Sequence, residues 1–271
     1  MPSNVVSTDV VEIKVVDELP SSGERVDGDM YLVIESLEEP EIPAHPGDVL
    51  NDWTVEARAE EVEGQAGAPV SDTDEVHRIV DLSGNGHHFD TSSSFKPTWY
   101  ESVASLNDRA ACEFDNSQMD AAAWTTLSMP VSIVMVAQAT SDPDGDIWIA
   151  TGNDRYSMYA SAPGHWRMET DLDSNSRINH FEQWDMNPHI FVMTFDGGSD
   201  DGIFRVDGLE AVAGMNDTHQ MAQFVLTHSS ATGRMSGYIG FVGAVNRRLT
   251  SQEIEDIEAA ASSYYGIELP E

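Results

Sequence analysis

The sequence has one cysteine, two lysines and no long apolar run. A single cysteine excludes an intrachain disulfide, and the apolar neighbours of Cys112 predict that it is buried as a small hydrophobic residue. No stretch approaches the ~18 apolar residues that a membrane-spanning helix needs, so we expect no membrane insertion. The N-terminus lacks a basic region and an apolar core, and the sequence therefore predicts no signal peptide.

Basic residues are also scarce, while acidic residues are abundant. The 271 residues include 13 Lys plus Arg against 48 Asp plus Glu, which gives a net charge of −35. No basic cluster is present to bind phosphates, so nucleic acid is excluded as a partner. Salt relieves the self-repulsion of such a chain, because the Debye length falls from about 10 Å at 0.1 M to about 3 Å at 1 M. We therefore expect a halophilic protein with an acidic surface; the alternative is an ordinary acidic protein.

The first 48 residues form a segment of their own. Residues 10–16 and 30–34 predict two short strands, and three prolines and a glycine within residues 38–47 predict a stiff linker. Two short strands cannot bury a core alone. We favour an anchor or assembly segment over residues 1–48, with the main domain at 49–271. The alternative is that these strands simply extend the main domain.

The main domain has the pattern of many short strands. Brief apolar runs alternate with Gly, Asp, Asn and Ser, which predicts a β-sandwich or jelly roll. Residues 131–137 are apolar nearly throughout and predict a central strand that is covered on both faces. Thr250 and Glu253 form a capping box, and Gly266 stands at a C-cap position, so one helix is expected between them. We expect this helix to pack across an open end or edge of the sandwich.

Local patterns of the main domain follow one another in a distinctive order. They are the turn D-L-S-G-N-G (81–86), the strands A-A-C-E-F-D (110–115), P-V-S-I-V-M-V (130–136) and H-I-F-V-M-T-F-D-G (189–197), the hairpin R-V-D-G (205–208) and the closing segment 240–267. This order resembles concanavalin A-like, laminin-G-type lectin domains of phage and haloarchaeal tailed-virus structural proteins. Asn116 departs from the family pattern, which has glycine there. The resemblance implies an all-β, concanavalin A-like jelly-roll β-sandwich with a short C-terminal helix and a small N-terminal β anchor segment.

The same resemblance implies a place on the surface of a virion. The protein would be a capsid turret or decoration, or a tail appendage such as a fibre, made in the host cytoplasm. Its lectin-like domain would bind glycans or glycoproteins of the host surface, and residues 1–48 would bind other virion proteins. Because virion appendages sit on symmetric particles, we expect a homo-oligomer. The alternative is a purely structural decoration or assembly protein that binds no glycan.

Exposed aromatic rings are the expected glycan contacts. Sugar rings stack on flat apolar faces, while polar neighbours hold the hydroxyl groups. The candidate ligand-binding residues lie in the middle third of the chain and are Trp148, Tyr156, Tyr159, Trp166 and Trp184.

Two acidic loops are candidate calcium sites. One contains three aspartates in five residues, and the other places carboxylate and amide side chains at the ligand spacing of an EF-hand loop. Ser176 replaces the glycine of such a loop, and its flanks predict strands instead of helices. Solvated acidic turns are the alternative to calcium, which is the one cofactor that we predict. The candidate metal ligands are Asp142, Asp144, Asp146, Asp171, Asp173, Asn175 and Glu182.

The sequence offers no recognised catalytic motif. Glycosidases with this fold carry a Glu-x-Asp-x-x-Glu strand, and the nearest matches, which begin at Glu113 and Glu169, lack the final glutamate. Neither a Gly-x-Ser-x-Gly elbow nor a His-Glu-x-x-His helix occurs. We therefore predict that the protein is not an enzyme, with a glycan-degrading enzyme as the alternative.

Overall fold

The computed structural model divides into two units, Met1–Ile42 and Pro43–Glu271. It describes residues 13–16, 30–33, 43–91, 95–141, 147–150, 156–161, 164–170, 177–195, 197–216, 220–227 and 235–270. The division lies earlier than the predicted boundary at residue 48, because a short 3-10 helix, Pro46–Val49, is already part of the second unit. No helix in these segments is long and apolar enough to span a membrane.

The first unit contains a pair of short parallel strands. Strand β1 (Ile13–Val16) pairs with strand β2 (Met30–Val33), and Ile13 lies opposite Met30. The two strands form a sheet of their own.

The second unit is an all-β sandwich with one α-helix among its described residues, as the sequence predicts. Helix α1 (Ser251–Tyr265) follows the last strand. The strands, in chain order, are β3 (Val55–Glu63), β4 (Arg78–Asp81), β5 (Phe89–Asp90), β6 (Thr98–Val103), β7 (Arg109–Asp115), β8 (Met119–Ala121), β9 (Val131–Ala139), β10 (Ile147–Ala150), β11 (Tyr156–Ser161), β12 (His165–Thr170), β13 (Arg177–Gln183), β14 (Pro188–Phe195), β15 (Gly197–Val206), β16 (Leu209–Asn216), β17 (Val225–Leu226) and β18 (Ser236–Val245).

These strands follow one hydrogen-bonded path that folds back on itself. Its order is β13-β12-β11-β10-β17-β8-β5-β4-β3-β18-β9-β14-β15-β16, and β6 and β7 pair beside β18. The register between β3 and β4 shifts between Ala57 and Val62. Buried side chains from both halves of the path, such as Met135 on β9 and Met168 on β12, meet in one core. The two halves therefore form the two layers of the sandwich.

Strand β9 is covered on both faces, which confirms the prediction for residues 131–137. Ile133 and Met135 belong to the core between the layers, whereas Val134 and Val136 belong to a second core on the outer face. All four side chains are completely buried. This alternation follows from the two-residue period of a strand.

Helix α1 covers that outer face, so the prediction of its position was wrong. Ile254, Ile257 and Tyr265 pack in the same outer core as Val134 of β9 and Val192 of β14. An apolar outer face on two neighbouring strands has to be kept from water, and the helix does so across the face of the sheet instead of at its end. The predicted caps are confirmed: Thr250 and Glu253 form a reciprocal capping box, and Gly266 adopts a left-handed conformation with φ 68°.

The D-L-S-G-N-G turn proves to be a structural element. The buried carboxylate of Asp81 accepts hydrogen bonds from the backbone N–H groups of Glu56, Ser83 and His87. The side chain of Asn85 donates to the carbonyl of Thr54. These bonds tie the turn to the start of β3, and Asp81 has no oxygen left over for a ligand. Cys112 is completely buried, which confirms its prediction.

Candidate functional site

Of the five predicted aromatic contacts, the structure describes the side chains of Trp166 and Trp184. Trp166 on β12 is completely buried, so the structure corrects the prediction that its ring faces a ligand. Trp184, just after β13, is half-buried. Trp148 on β10 and Tyr156 and Tyr159 on β11 lie on strands whose side chains at these positions are outside the described part of the structure.

The predicted calcium loops also lie outside the described residues. This applies to six of the seven predicted ligands, and the seventh, Glu182, lies on β13 with its side chain not described. Among the described residues, no group of three or more His, Cys, Asp or Glu side chains is arranged to hold a metal ion. Calcium therefore stays a prediction. The six ligands outside the described residues are Asp142, Asp144, Asp146, Asp171, Asp173 and Asn175.

A cleft of about 650 Å³ opens at the start of β14. Three segments form its walls: residues 183–189 before and at the start of β14, residues 206–209 at the β15–β16 turn, and residues 266–270 after helix α1. Its centre is His189, and we call it the His189 cleft. Gly266, the left-handed cap of the helix, turns the chain toward this cleft.

His189 lies between two carboxylates. Its Nδ1 is 2.6 Å from Oδ2 of Asp207, and its Nε2 is 2.9 Å from Oδ1 of Asp185. Each aspartate is itself held by backbone: Asp207 accepts from the N–H of Ile190 at 2.7 Å, and Asp185 accepts from the N–H of Asn187 at 2.6 Å. An imidazole with a carboxylate at each nitrogen is suited to carry both protons.

The surroundings of His189 and Asp185 shift the pKa of each side chain toward its charged form. Burial lowers the pKa of His189, but the hydrogen bonds and charges of Asp207 and Asp185 outweigh burial and raise it above its ordinary value. Burial raises the pKa of Asp185, while the backbone of Asn187 and the charge of His189 bring it below its ordinary value. The two aspartates and His189 therefore bridge two walls of the His189 cleft, and we call these three groups the ionic bridge.

Two of the three predicted tryptophans, Trp166 and Trp184, lie beside this bridge. The ring of Trp166 packs edge-on to His189 at 5.5 Å and to Phe191 at 4.9 Å between centroids. Trp184 immediately precedes Asp185, and its backbone N–H donates to Gly164 at 3.0 Å. Trp166 thus supports the buried side of the imidazole. The polar residues that line the cleft, such as Asn187 and Glu268, are not among the predicted ligand contacts.

The sequence contained partial signals for these residues. His189 and Asp207 belong to the strand and hairpin patterns described above, and Asp185 stands four residues before His189. Nothing in the sequence joins Asp207 to His189, since their pairing depends on the antiparallel contact of β14 with β15. Asn187 has no signal beyond its place in a polar turn.

The comparisons with known proteins show the fold. No family model matches the chain, and no match is found among curated proteins. A mutant of Trypanosoma rangeli sialidase displaying trans-sialidase activity is similar at a TM-score of 0.55 and 12% identity, over 79% of this chain and 33% of that chain. Domain 4 of AbnA, an extracellular arabinanase from Geobacillus stearothermophilus in complex with arabinotriose, is similar at 0.55 and 10%, over 76% and 98%. The binding domain of botulinum neurotoxin DC in complex with SialylT is similar at 0.53 and 8%, over 78% and 52%.

These similarities correct one prediction. Two of the three structures come from glycan-degrading enzymes, a sialidase and an arabinanase. The prediction that the protein is not an enzyme is therefore wrong. It rested on the absence of known catalytic motifs, and that absence does not distinguish this chain from enzymes that share its fold. The chain spans only 33% of the sialidase chain and 52% of the toxin chain.

Proposed function

We propose that residues 43–271 form a glycan-binding domain and that the His189 cleft is its binding site. The observation that carries this proposal is the cleft itself, whose volume of about 650 Å³ lies within the range of small-molecule sites, about 300–1,000 Å³. Support comes from the fold, which is shared with a domain bound to arabinotriose and with a toxin domain bound to SialylT.

The lining of the His189 cleft suits a ligand rich in hydroxyl groups. Gln183 and Asn187 supply amides, which donate to and accept from hydroxyls, and Glu268 supplies a carboxylate, which accepts from them. Leu209 and Leu269 supply apolar surface for the C–H faces of a sugar ring. The ionic bridge at His189 fixes the walls before the ligand arrives, which lowers the entropy cost of binding.

A glycan array probed with the purified protein in molar NaCl tests the proposal. We expect saturable binding to a defined set of glycans, and we expect the double variant Asn187→Ala, Glu268→Ala to lose it. The matched control Glu61→Ala removes an exposed carboxylate outside the cleft lining and should bind like the wild type. Binding to no glycan, or unchanged binding by the double variant, contradicts the proposal.

The same incubations show whether cleavage accompanies binding. Mass spectrometry of each bound glycan detects shortened products after incubation with the protein. Products would make the domain part of a glycan-degrading enzyme, and intact glycans after saturable binding would leave a binding domain.

We also propose that this domain is displayed on a virion of a salt-adapted host and that residues 1–48 attach it to other virion proteins as a homo-oligomer. The net charge of −35 and the sequence resemblance support this setting. Antibodies against residues 43–271 should label intact particles purified in molar salt. Failure to label them, with the protein present in the same lysate, would contradict display on a virion. Display without glycan binding would favour a purely structural decoration.

A further inference from the structure

A second cavity lies between strands β3 and β7, which pair with successive parts of strand β18. Residues 236–239 of β18 pair with β7, whereas residues 241–244 pair with β3, so β3 and β7 diverge around Gly240. A Cβ atom at Gly240 would lie 2.8 Å from Cε1 of Tyr265, so the tyrosine ring packs directly against β18 at this fork. Beside it opens a cavity of about 270 Å³, which we call the fork pocket. It shares no lining residue with the His189 cleft.

Arg109 in the fork pocket stands apart from other arginines of this acidic protein. Arg58, Arg78, Arg205 and Arg247 each hold a carboxylate within 4.0 Å. Arg109 has no carboxylate at that distance among the described residues. Its Nε donates to the carbonyl of Tyr264 at 3.1 Å, and its guanidinium carbon lies 4.1 Å from the centroid of the Tyr264 ring. A guanidinium has five N–H donors, so most of those of Arg109 are left for a ligand.

The backbone and aromatic contacts of the pocket hold its shape. Trp99 forms one wall, and its indole N–H donates to the carbonyl of Ala59 at 2.7 Å, which fixes the ring against β3. The hydroxyl of Tyr264 donates to Glu60 Oε1 at 2.9 Å. Burial and the charge of Glu60 raise the pKa of Tyr264 to about 12, so this hydroxyl keeps its proton. The wall formed by these side chains is therefore rigid and neutral at the tyrosine.

Hydrogen-bond acceptors stand at the rim of the fork pocket. Glu101 and Asp108 line it and are both exposed. The pocket therefore combines a guanidinium donor, the two rim carboxylates, the carboxylate of Glu60 and an indole wall. Adjacent hydroxyl groups on a sugar ring need donors and acceptors side by side, together with an apolar surface for the ring. An anionic ligand is disfavoured, because the rim carboxylates and the net charge of −35 repel it.

We propose that the fork pocket is a second sugar subsite, which binds one neutral pyranose unit between Arg109, Glu101, Asp108 and Trp99. The ligand class rests on the proposed function, but the residues are separate from the His189 cleft. Arg109 donates to the ring hydroxyls, the two carboxylates accept from them, and Trp99 packs against the C–H face. Two subsites on one domain allow a branched or repeated glycan to bind with avidity.

Nuclear magnetic resonance of the full chain in molar NaCl tests this subsite. The probes are the methyl glycosides of glucose, galactose, mannose and N-acetylglucosamine, and the reporter is the indole N–H signal of Trp99, assigned by its absence in Trp99→Phe. We expect at least one glycoside to shift this signal saturably. Arg109→Gln should weaken that binding by about ten- to hundredfold, because it removes a charged hydrogen-bond donor. Arg78→Gln removes an arginine outside the fork pocket and should bind like the wild type.

Two further variants separate the possible failures. Arg109 contacts the end of helix α1, so the spectrum away from the pocket must stay unchanged in Arg109→Gln. Glu101→Ala removes an acceptor on an exposed side chain and provides a second loss of binding without that contact. A Trp99 signal that no glycoside moves, or that moves equally in both variants, overturns the subsite. If the array shows glycans lost in Asn187→Ala, Glu268→Ala while Trp99 stays silent, the subsite is wrong and the proposed function stands.

Discussion

At the scale of single residues, two histidines show how surroundings decide a charge. Two aspartates raise the pKa of His189 above its ordinary value. Burial, together with the nearby charge of Arg58, lowers the pKa of His45 to about 3, and Nε2 of His45 bonds to the hydroxyl of Tyr265 at 3.3 Å. At neutral pH His45 is thus a neutral polar link under helix α1, whereas the two carboxylates beside His189 favour the protonated form of its ring.

The variant Asp207→Asn should reveal the ionic bridge through its pH dependence. The folded-state pKa of His189 is raised, so its stabilising contribution is complete below the unfolded value of about 6.5 and is lost as the pH rises through the folded value. Urea unfolding should therefore show the largest difference between wild type and variant at mildly acidic pH, shrinking toward alkaline pH. Each unit by which Asp207 raises this pKa corresponds to about 1.4 kcal/mol of that difference.

The control for this prediction is an exposed aspartate. Asp115→Asn, which removes an exposed carboxylate at the end of β7, should unfold like the wild type at every pH. The amide of Asp207→Asn can still accept from the N–H of Ile190, so wild type and variant do not differ in that backbone contact. A difference from wild type that stays constant across the pH range would refute the ionic bridge.

At the scale of elements, the sequence predicted those features that depend only on neighbouring residues. Thr250, Glu253 and Gly266 predict both ends of helix α1, since a cap involves only its own neighbours. The position of the helix depends on the outer face of β9 and β14, which share no sequence pattern with it. The prediction that Trp166 faces a ligand was wrong for a related reason. In a strand the inward residues differ from the outward ones by a single step, and the sequence of β12 alone does not set that step.

Removing the helix cap should lower stability by a modest amount. The hydroxyl of Thr250 accepts from the N–H of Glu253 at 3.2 Å, and the Glu253 carboxylate accepts from the N–H of Thr250 at 2.8 Å. Thr250→Ala breaks this reciprocal pair, and we expect a loss of about 0.5–2 kcal/mol in the free energy of unfolding. Ser251→Ala changes the next, exposed hydroxyl and should leave stability unchanged. Equal losses in the two variants would show that the cap contributes nothing specific.

At the scale of the whole molecule, composition predicted the acidic character of the protein but not the position of its pockets. The excess of acids followed directly from counting, and it makes an arginine that pairs with no carboxylate in the described part of the chain informative. Nothing in the sequence pointed to Arg109, because its neighbours Glu60, Trp99 and Tyr264 come from distant parts of the chain. Such pockets arise from strand order, which the alternation of apolar and polar residues leaves open.

The net charge of −35 should make stability depend strongly on salt. Raising NaCl from about 0.1 M to about 1 M shortens the Debye length from about 10 Å to about 3 Å and screens the repulsion among surface carboxylates. We expect the Tm to rise over this range, by about 2–4 °C for each kcal/mol of relieved repulsion in a domain of this size.

Sucrose strengthens burial without screening charge, and should raise the Tm of wild type and variants alike. The double variant Glu61→Gln, Glu255→Gln removes two exposed charges, so its Tm should start higher in dilute buffer and respond less to NaCl. An NaCl response as large in this variant as in the wild type would mean that general salting effects, and not carboxylate repulsion, set the salt dependence.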